Sequence, residues 1–190
     1  MVRALLVLPP LPQPMNAPYL GQQYVAAALL SGGHAVRCLD LANVREPEAR
    51  VRFAQELRSF RPDLVGMTLF TYNALPGYRL AATMPEAGAV LIAGGPHPTV
   101  LPEEPLSHGF DLSLSGEGEH AIVAIAEALE RGGSLDTIPG LHTRTGRGPP
   151  HSAIEDLDAL PFPHAAAAST HAGAVAGGVV TSRGCPARCT

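Results

Sequence analysis

A chain of 190 residues, 46% hydrophobic and 16% charged, is long enough to bury one good core plus an appendage, so one main domain is expected. Its net charge of -4 gives no basic footprint for nucleic acid or an anionic membrane, and neither is expected as a partner. All 13 basic residues are arginine, which excludes Walker-type phosphate binding, Schiff-base chemistry and a receiver-domain lysine.

The first apolar run, residues 3 to 8, is stopped by Pro9 and Pro10. It is too short for a signal sequence and reads as a buried strand. A helix over about residues 19 to 31 places Leu20, Tyr24, Ala27 and Leu30 on one face and ends at Gly32 and Gly33. Further strands are expected at residues 35 to 40, 64 to 68, 89 to 93 and 111 to 115. The second helix buries Phe53, Leu57 and Phe60 ahead of Pro62. Another opens after Gly118, carries Ile122, Ile125, Ala126 and Leu129, and ends at Gly132 and Gly133. Strands apolar on both faces and joined by helical crossovers predict an α/β fold: a doubly wound, five-stranded parallel sheet of the Rossmann or flavodoxin type.

Beyond it the pattern changes. Residues 138 to 163 are rich in Gly and Pro and lack a sustained period, which is linker composition. Residues 165 to 178 are almost all small, and Val179, Val180 and Thr181 look like one more buried strand. The expected organisation is a Rossmann-like domain over residues 1 to 146, a linker over 147 to 174, and the start of a second unit over 175 to 190. No apolar run reaches the length of a membrane span, and three cysteines make a poor disulfide framework, so a cytoplasmic protein is expected.

In a parallel α/β sheet, ligands sit outside the carboxyl ends of the strands, which directs attention to the loops there. The loop after the first strand, residues 9 to 18, is long and proline-rich and reads equally as a ligand-facing rim or an ordinary connector. The third strand leads into Thr68, Leu69, Phe70, Thr71, Tyr72 and Asn73, whose hydroxyls and amide can meet a ligand's polar edge, although Thr and Asn also cap helices. After the fourth strand, Gly94 and Gly95 let the backbone approach a flat or bulky ligand, and the prolines that follow stiffen the excursion. His97 in that loop is a metal-ligand or hydrogen-bonding candidate; a solvated or backbone-bonded side chain is the plainer role. Gly116, Glu117, Gly118 and Glu119 form another Gly-rich turn, with acids favoured at a helix N-terminus by the dipole.

The last motif is the TSRGCPARC run at residues 181 to 189. Cys185 and Cys189 have the first spacing of a CxxxCxxC cluster site, and Gly184 with Pro186 argues against a helix there. Thiolates on a tight loop after a buried strand are the usual ligands of an iron–sulfur cluster. The third cysteine would fall two residues beyond Thr190, so the chain is expected to be a portion of a longer protein.

Taken in order and spacing, residues 94 to 104, residues 116 to 119, the DLDALPFP run at 156 to 163 and the cysteine run resemble the N-terminal half of the cobalamin-binding-domain radical S-adenosylmethionine enzymes. The resemblance covers essentially the whole chain. It implies cobalamin held on the carboxyl edge of a Rossmann-like domain, beside a partial barrel whose first loop holds a [4Fe-4S] cluster. Three irons would be held by the cysteine loop, with Cys185 and Cys189 two of the ligands, and S-adenosylmethionine would chelate the fourth; its reductive cleavage gives an adenosyl radical. Thr68 and Phe70 stand roughly where the similar methionine-synthase-type domains carry an SxL segment, and Gly94 with Gly95 where those carry a GG pair, which implies that these line the nucleotide tail. Thr71, Pro96, His97, Gly116, Glu117 and Gly118 complete the implied cofactor-binding set.

One departure is informative. Methionine-synthase-type domains carry a DxHxxG loop after strand one, whose histidine replaces the lower base of cobalt, but residues 9 to 21 contain neither Asp nor His. Cobalamin is therefore expected base-off, with another group, water or nothing below the metal. The parent enzyme implied is a methyltransferase acting on an unactivated carbon, or a ring-forming or rearranging relative, and this polypeptide alone is expected to bind cobalamin without being catalytically complete. The alternative is a non-catalytic Rossmann-like module for a nucleotide or corrinoid. A nucleotide- or sugar-binding domain unrelated to cobalt lacks support, because no GxGxxG follows strand one.

Overall fold

Period-two alternation decides which side of the sheet each strand residue faces. Leu6, Leu64 and Ile92 are buried in one cluster with Ala26, Leu29, Ile122 and Ile125. Leu5, Val7, Val65, Met67 and Leu91 are buried in a second with Ala49, Phe53 and Tyr78. Strands with two apolar faces need helices on both sides, and that is the arrangement found.

The computed structural model describes residues 1 to 15, 19 to 85, 88 to 163 and 180 to 184. The strands are β1 (Arg3–Leu8), β2 (Ala35–Asp40), β3 (Leu64–Thr68), β4 (Val90–Gly94), β5 (Leu112–Leu114) and β6 (Leu141–Thr143). The helices are α1 (Leu20–Ser31), α2 (Glu46–Phe60), α3 (Ala74–Ala81), α4 (Pro96–Val100), α5 (Glu103–Ser107) and α6 (Glu119–Arg131). The sheet order is β2-β1-β3-β4-β5-β6. The first five strands pair in parallel, while β6 runs antiparallel to β5.

The sixth strand adds to the five expected. It arises inside the Gly/Pro-rich stretch, where Gly140 N–H donates to Pro149 O and Gly148 N–H to Leu141 O, both at 2.8 Å, folding residues 140 to 149 back on themselves. Leu141 is thereby buried against the sheet edge. A strand of three residues is too short to show alternation. In contrast, the strand expected at residues 179 to 181 does not form at Val180 and Thr181, and residues 180 to 183 carry no regular secondary structure. Val179, Cys185 and Cys189 lie outside the described residues. Among the described residues, no helix is long and apolar enough to cross a membrane.

From β1 the sheet grows outward to β2 on one side and to β3 on the other. Such a switch point leaves a crevice at the carboxyl edge, because the flanking connections cross to opposite faces. On the face of α1 and α6, that crevice is where the candidate site lies.

Candidate functional site

A cavity of about 450 Å³ opens at this edge between the sheet and the first turns of α1 and α6. Leu6, Gly66 and Ile92, neighbours across β1, β3 and β4, line it from the sheet side. Gly66 is the key to its depth. A Cβ built there would come 3.0 Å from Leu6 Cδ2 and 3.8 Å from Ile92 Cγ2 and would otherwise meet open space, so the absent side chain enlarges the cavity. At the rim, Gly95 holds φ +106°, and a Cβ would stand 2.9 Å from the Leu69 carbonyl oxygen. Only glycine takes that turn without strain.

Six of the residues singled out in the sequence meet at this cavity: Thr68, Gly94, Gly95, Gly116, Glu117 and Gly118. Phe70, Thr71, Pro96 and His97 are not among its lining residues. Phe70 stacks on Tyr72 with ring centroids 5.0 Å apart and meets Tyr19, which does line the cavity, edge-on at 5.1 Å. Pro96 begins α4 behind Gly95, where a fixed φ suits the first helical turn. His97 is 3% exposed. Its Nδ1 lies 3.3 Å from Thr71 Oγ1 and its Nε2 3.0 Å from the Tyr78 hydroxyl, which donates to Glu104 Oε1 at 3.3 Å. The carboxylate at one end sets the direction of the chain: Thr71 donates to His97, His97 to Tyr78, and Tyr78 to Glu104. Burial, then the nearby Glu104 charge, pushes the Tyr78 phenol far above its ordinary range, so it remains a donor. These groups brace α3 against α4 and α5. Asn73 likewise serves the loop, its Oδ1 accepting from Phe70 N–H at 2.7 Å instead of capping α3.

Several lining residues escaped sequence reasoning. Gln22 is 6% exposed, and its Nε2 is buried with no hydrogen-bond partner. Arg183 reaches the mouth from the far end of the chain, with Nη1 2.9 Å from Glu117 Oε1 and Nη2 2.5 Å from Glu119 Oε1. Its guanidinium lies 5.2 Å from the centroid of the Tyr24 ring. Burial alone would depress the Arg183 pKa; the hydrogen bonds to Glu119 and Glu117 overcome it and raise the value above the usual arginine range. For Glu117, burial acts upward, yet Arg183 and the Ile154 N–H, which donates to Oε2 at 2.5 Å, hold the carboxyl below its ordinary range. Beside this clasp, a second cavity of about 310 Å³ is lined by Leu157, Leu160, Val180 and Arg183, which brings the DLDALPFP run to the same mouth. In the sequence, Gly66 inside an apolar run was a legible sign of close approach. Nothing there linked Arg183 to two acids more than sixty positions away.

Residues 14 to 126 match the family model of the B12 binding domain. The chain belongs to the B12 binding domain family. This B12 binding domain is 34% identical over 147 residues to the hopanoid C-3 methylase of Methylococcus capsulatus, covering 73% of the chain and 27% of that protein. It is 30% identical over 207 residues to an uncharacterized methyltransferase of Pyrococcus horikoshii, covering 99% of the chain and 44% of that protein. The chain thus spans less than half the length of these curated relatives. Its fold matches that of the radical S-adenosylmethionine methyltransferase TsrM from Kitasatospora setae, at a TM-score of 0.70 and 24% identity over 80% of this chain and 31% of that one. The cobalamin-dependent S-adenosylmethionine radical enzyme OxsB gives 0.69 and 14% identity, over 80% and 23%.

Proposed function

We propose that this B12 binding domain takes cobalamin at the carboxyl-edge cavity, the nucleotide tail entering over Gly66 and the corrin resting on the glycine rim, as part of a radical S-adenosylmethionine methyltransferase. The observation that carries this reading is the shape of the site: a deep slot with apolar sheet-side residues, opened by Gly66, beneath a rim of Gly94, Gly95, Gly116 and Gly118. A heteroaromatic base suits the slot, and a flat macrocycle suits a rim that carries four glycines. Among the described residues the charged lining groups are Glu117, Glu119 and Arg183, and the cation among them is already paired to both acids. That balance disfavours a nucleotide polyphosphate, which needs unpaired cations or a phosphate-binding glycine loop.

Cobalamin, when bound, supplies cobalt-centred methyl-carrier chemistry. Leu6, Gly66 and Ile92 would receive the tail, and Gly94, Gly95, Gly116 and Gly118 would let the corrin approach the backbone. Arg183 precedes Cys185 by two residues, so its clasp on Glu117 and Glu119 ties the start of the cysteine run to the cavity mouth. In the whole protein Cys185 and Cys189 would be two of the cluster's ligands. The methyltransferase assignment draws on the methylase and methyltransferase relatives and on the agreement of fold.

The test is direct. Purified protein incubated with hydroxocobalamin and desalted should retain a corrinoid spectrum at about one equivalent per chain, one corrinoid at the carboxyl-edge cavity. A colourless protein would overturn the reading.

A further inference from the structure

The polar group that the protein itself leaves unanswered in the cavity is the Gln22 amide. It sits at the start of α1, on a helix whose other buried residues include Ala26, Ala27, Ala28 and Leu29. A buried N–H without a partner has lost its hydration and gained nothing in return, so an apolar side chain would serve a purely structural position better. Two other buried side-chain atoms among the described residues also lack partners, His34 Nε2 and Ser113 Oγ, but neither residue lines the cavity. Gln22 does, together with Leu6, Gly66 and Ile92.

We infer that Gln22 donates through Nε2 to the ring nitrogen of the corrinoid's lower base after that base has left cobalt and entered the slot, and so selects corrinoids by the chemistry of their tail. The inference rests on the cavity reading above. A benzimidazole-type base released from cobalt carries an in-plane lone pair, and a primary amide N–H is its natural complement. Between apolar walls this bond has no water to compete with it. A phenolic base has no ring nitrogen, and cobinamide has no nucleotide tail at all.

The experiment titrates wild-type protein and Gln22→Leu with cobalamin, cobinamide and a phenolyl cobamide. Gln22→Leu should weaken cobalamin about tenfold, the worth of one buried hydrogen bond, and leave the other two within about twofold. In the free protein the same substitution removes an unpaired buried donor, so its Tm should rise by about 2–4 °C. Unchanged cobalamin affinity, an equal loss for all three corrinoids, a parallel loss for the phenolyl cobamide, or a fall in Tm would each overturn the inference. If the wild type binds no cobalamin, the cavity reading fails first, and the titration shows it before any variant is compared.

Discussion

Replacing Gly66 by valine separates the cavity from the fold that carries it. Gly66 sits mid-strand in β3, in register with Leu6 of β1 and Ile92 of β4. The close atom that a new Cβ would meet, Leu6 Cδ2 at 3.0 Å, is the end of a flexible side chain, and Ile92 Cγ2 at 3.8 Å is in ordinary contact. Valine also suits a strand better than glycine, a gain of up to about 1 kcal/mol that offsets part of an overpacking cost of about 1–3 kcal/mol. Stability should therefore fall by no more than about 3 kcal/mol, which for a chain of this size lowers Tm by at most about 6–12 °C. The methyl groups would occupy the slot itself. A tail forced to share it pays about 1–3 kcal/mol, or about 5- to 150-fold in Kd for cobalamin. Cobinamide, without a tail, should bind as it does to the wild type. Circular dichroism and thermal melting establish that the variant is folded, and spectroscopic titration with the two corrinoids gives the affinities. A folded Gly66→Val protein that binds cobalamin with wild-type affinity would refute the assignment of the slot to the tail.

Three further outcomes follow from the same geometry. Gly95→Ala places a Cβ 2.9 Å from the Leu69 carbonyl oxygen at φ +106°, and urea denaturation should show a loss of about 1–3 kcal/mol. Arg183→Gln leaves Glu119, buried at the mouth, without its partner and loosens the clasp, so displacement kinetics should show bound corrinoid leaving several-fold faster. Because the Glu117 carboxyl is held below its ordinary range of about 4.3, its contribution to stability is complete above that value and is lost as pH falls through the lowered one. The chemical shift of the Ile154 amide proton, bonded to Glu117, should follow that titration, and a midpoint at or above the ordinary value would contradict the clasp.

The sequence made the sheet legible where strands are apolar on both faces. β1, β2 and β3 occupy the residues expected of them, and β4 and β5 differ only at their ends. α4 and α5 were hidden in a loop dense in proline, although Pro96 after Gly95 is the usual start of a helix. β6 was hidden by its length, since three residues carry no period. For the site, glycines told more than side chains with chemistry. Gly94, Gly95, Gly116 and Gly118 line the cavity because the backbone must come close there, whereas His97, the residue with the richest chemistry, spends both ring nitrogens on Thr71 and Tyr78. Gln22 and Arg183 were unreadable for opposite reasons. Gln22 is one glutamine beside another on an apolar helix, distinguished only by which way it faces, and Arg183 acts across a long sequence separation that only the fold closes.

A cavity over Gly66 that receives the nucleotide tail keeps its base from cobalt. Electron paramagnetic resonance of the protein loaded with cobalamin and reduced to the cobalt(II) state reads this directly, because a coordinated base nitrogen splits the cobalt lines. The wild type should show cobalt hyperfine structure without nitrogen splitting. Nitrogen splitting as strong as that of free base-on cobalamin, and lost when cobinamide replaces it, would place the base on the metal and the cavity outside its binding.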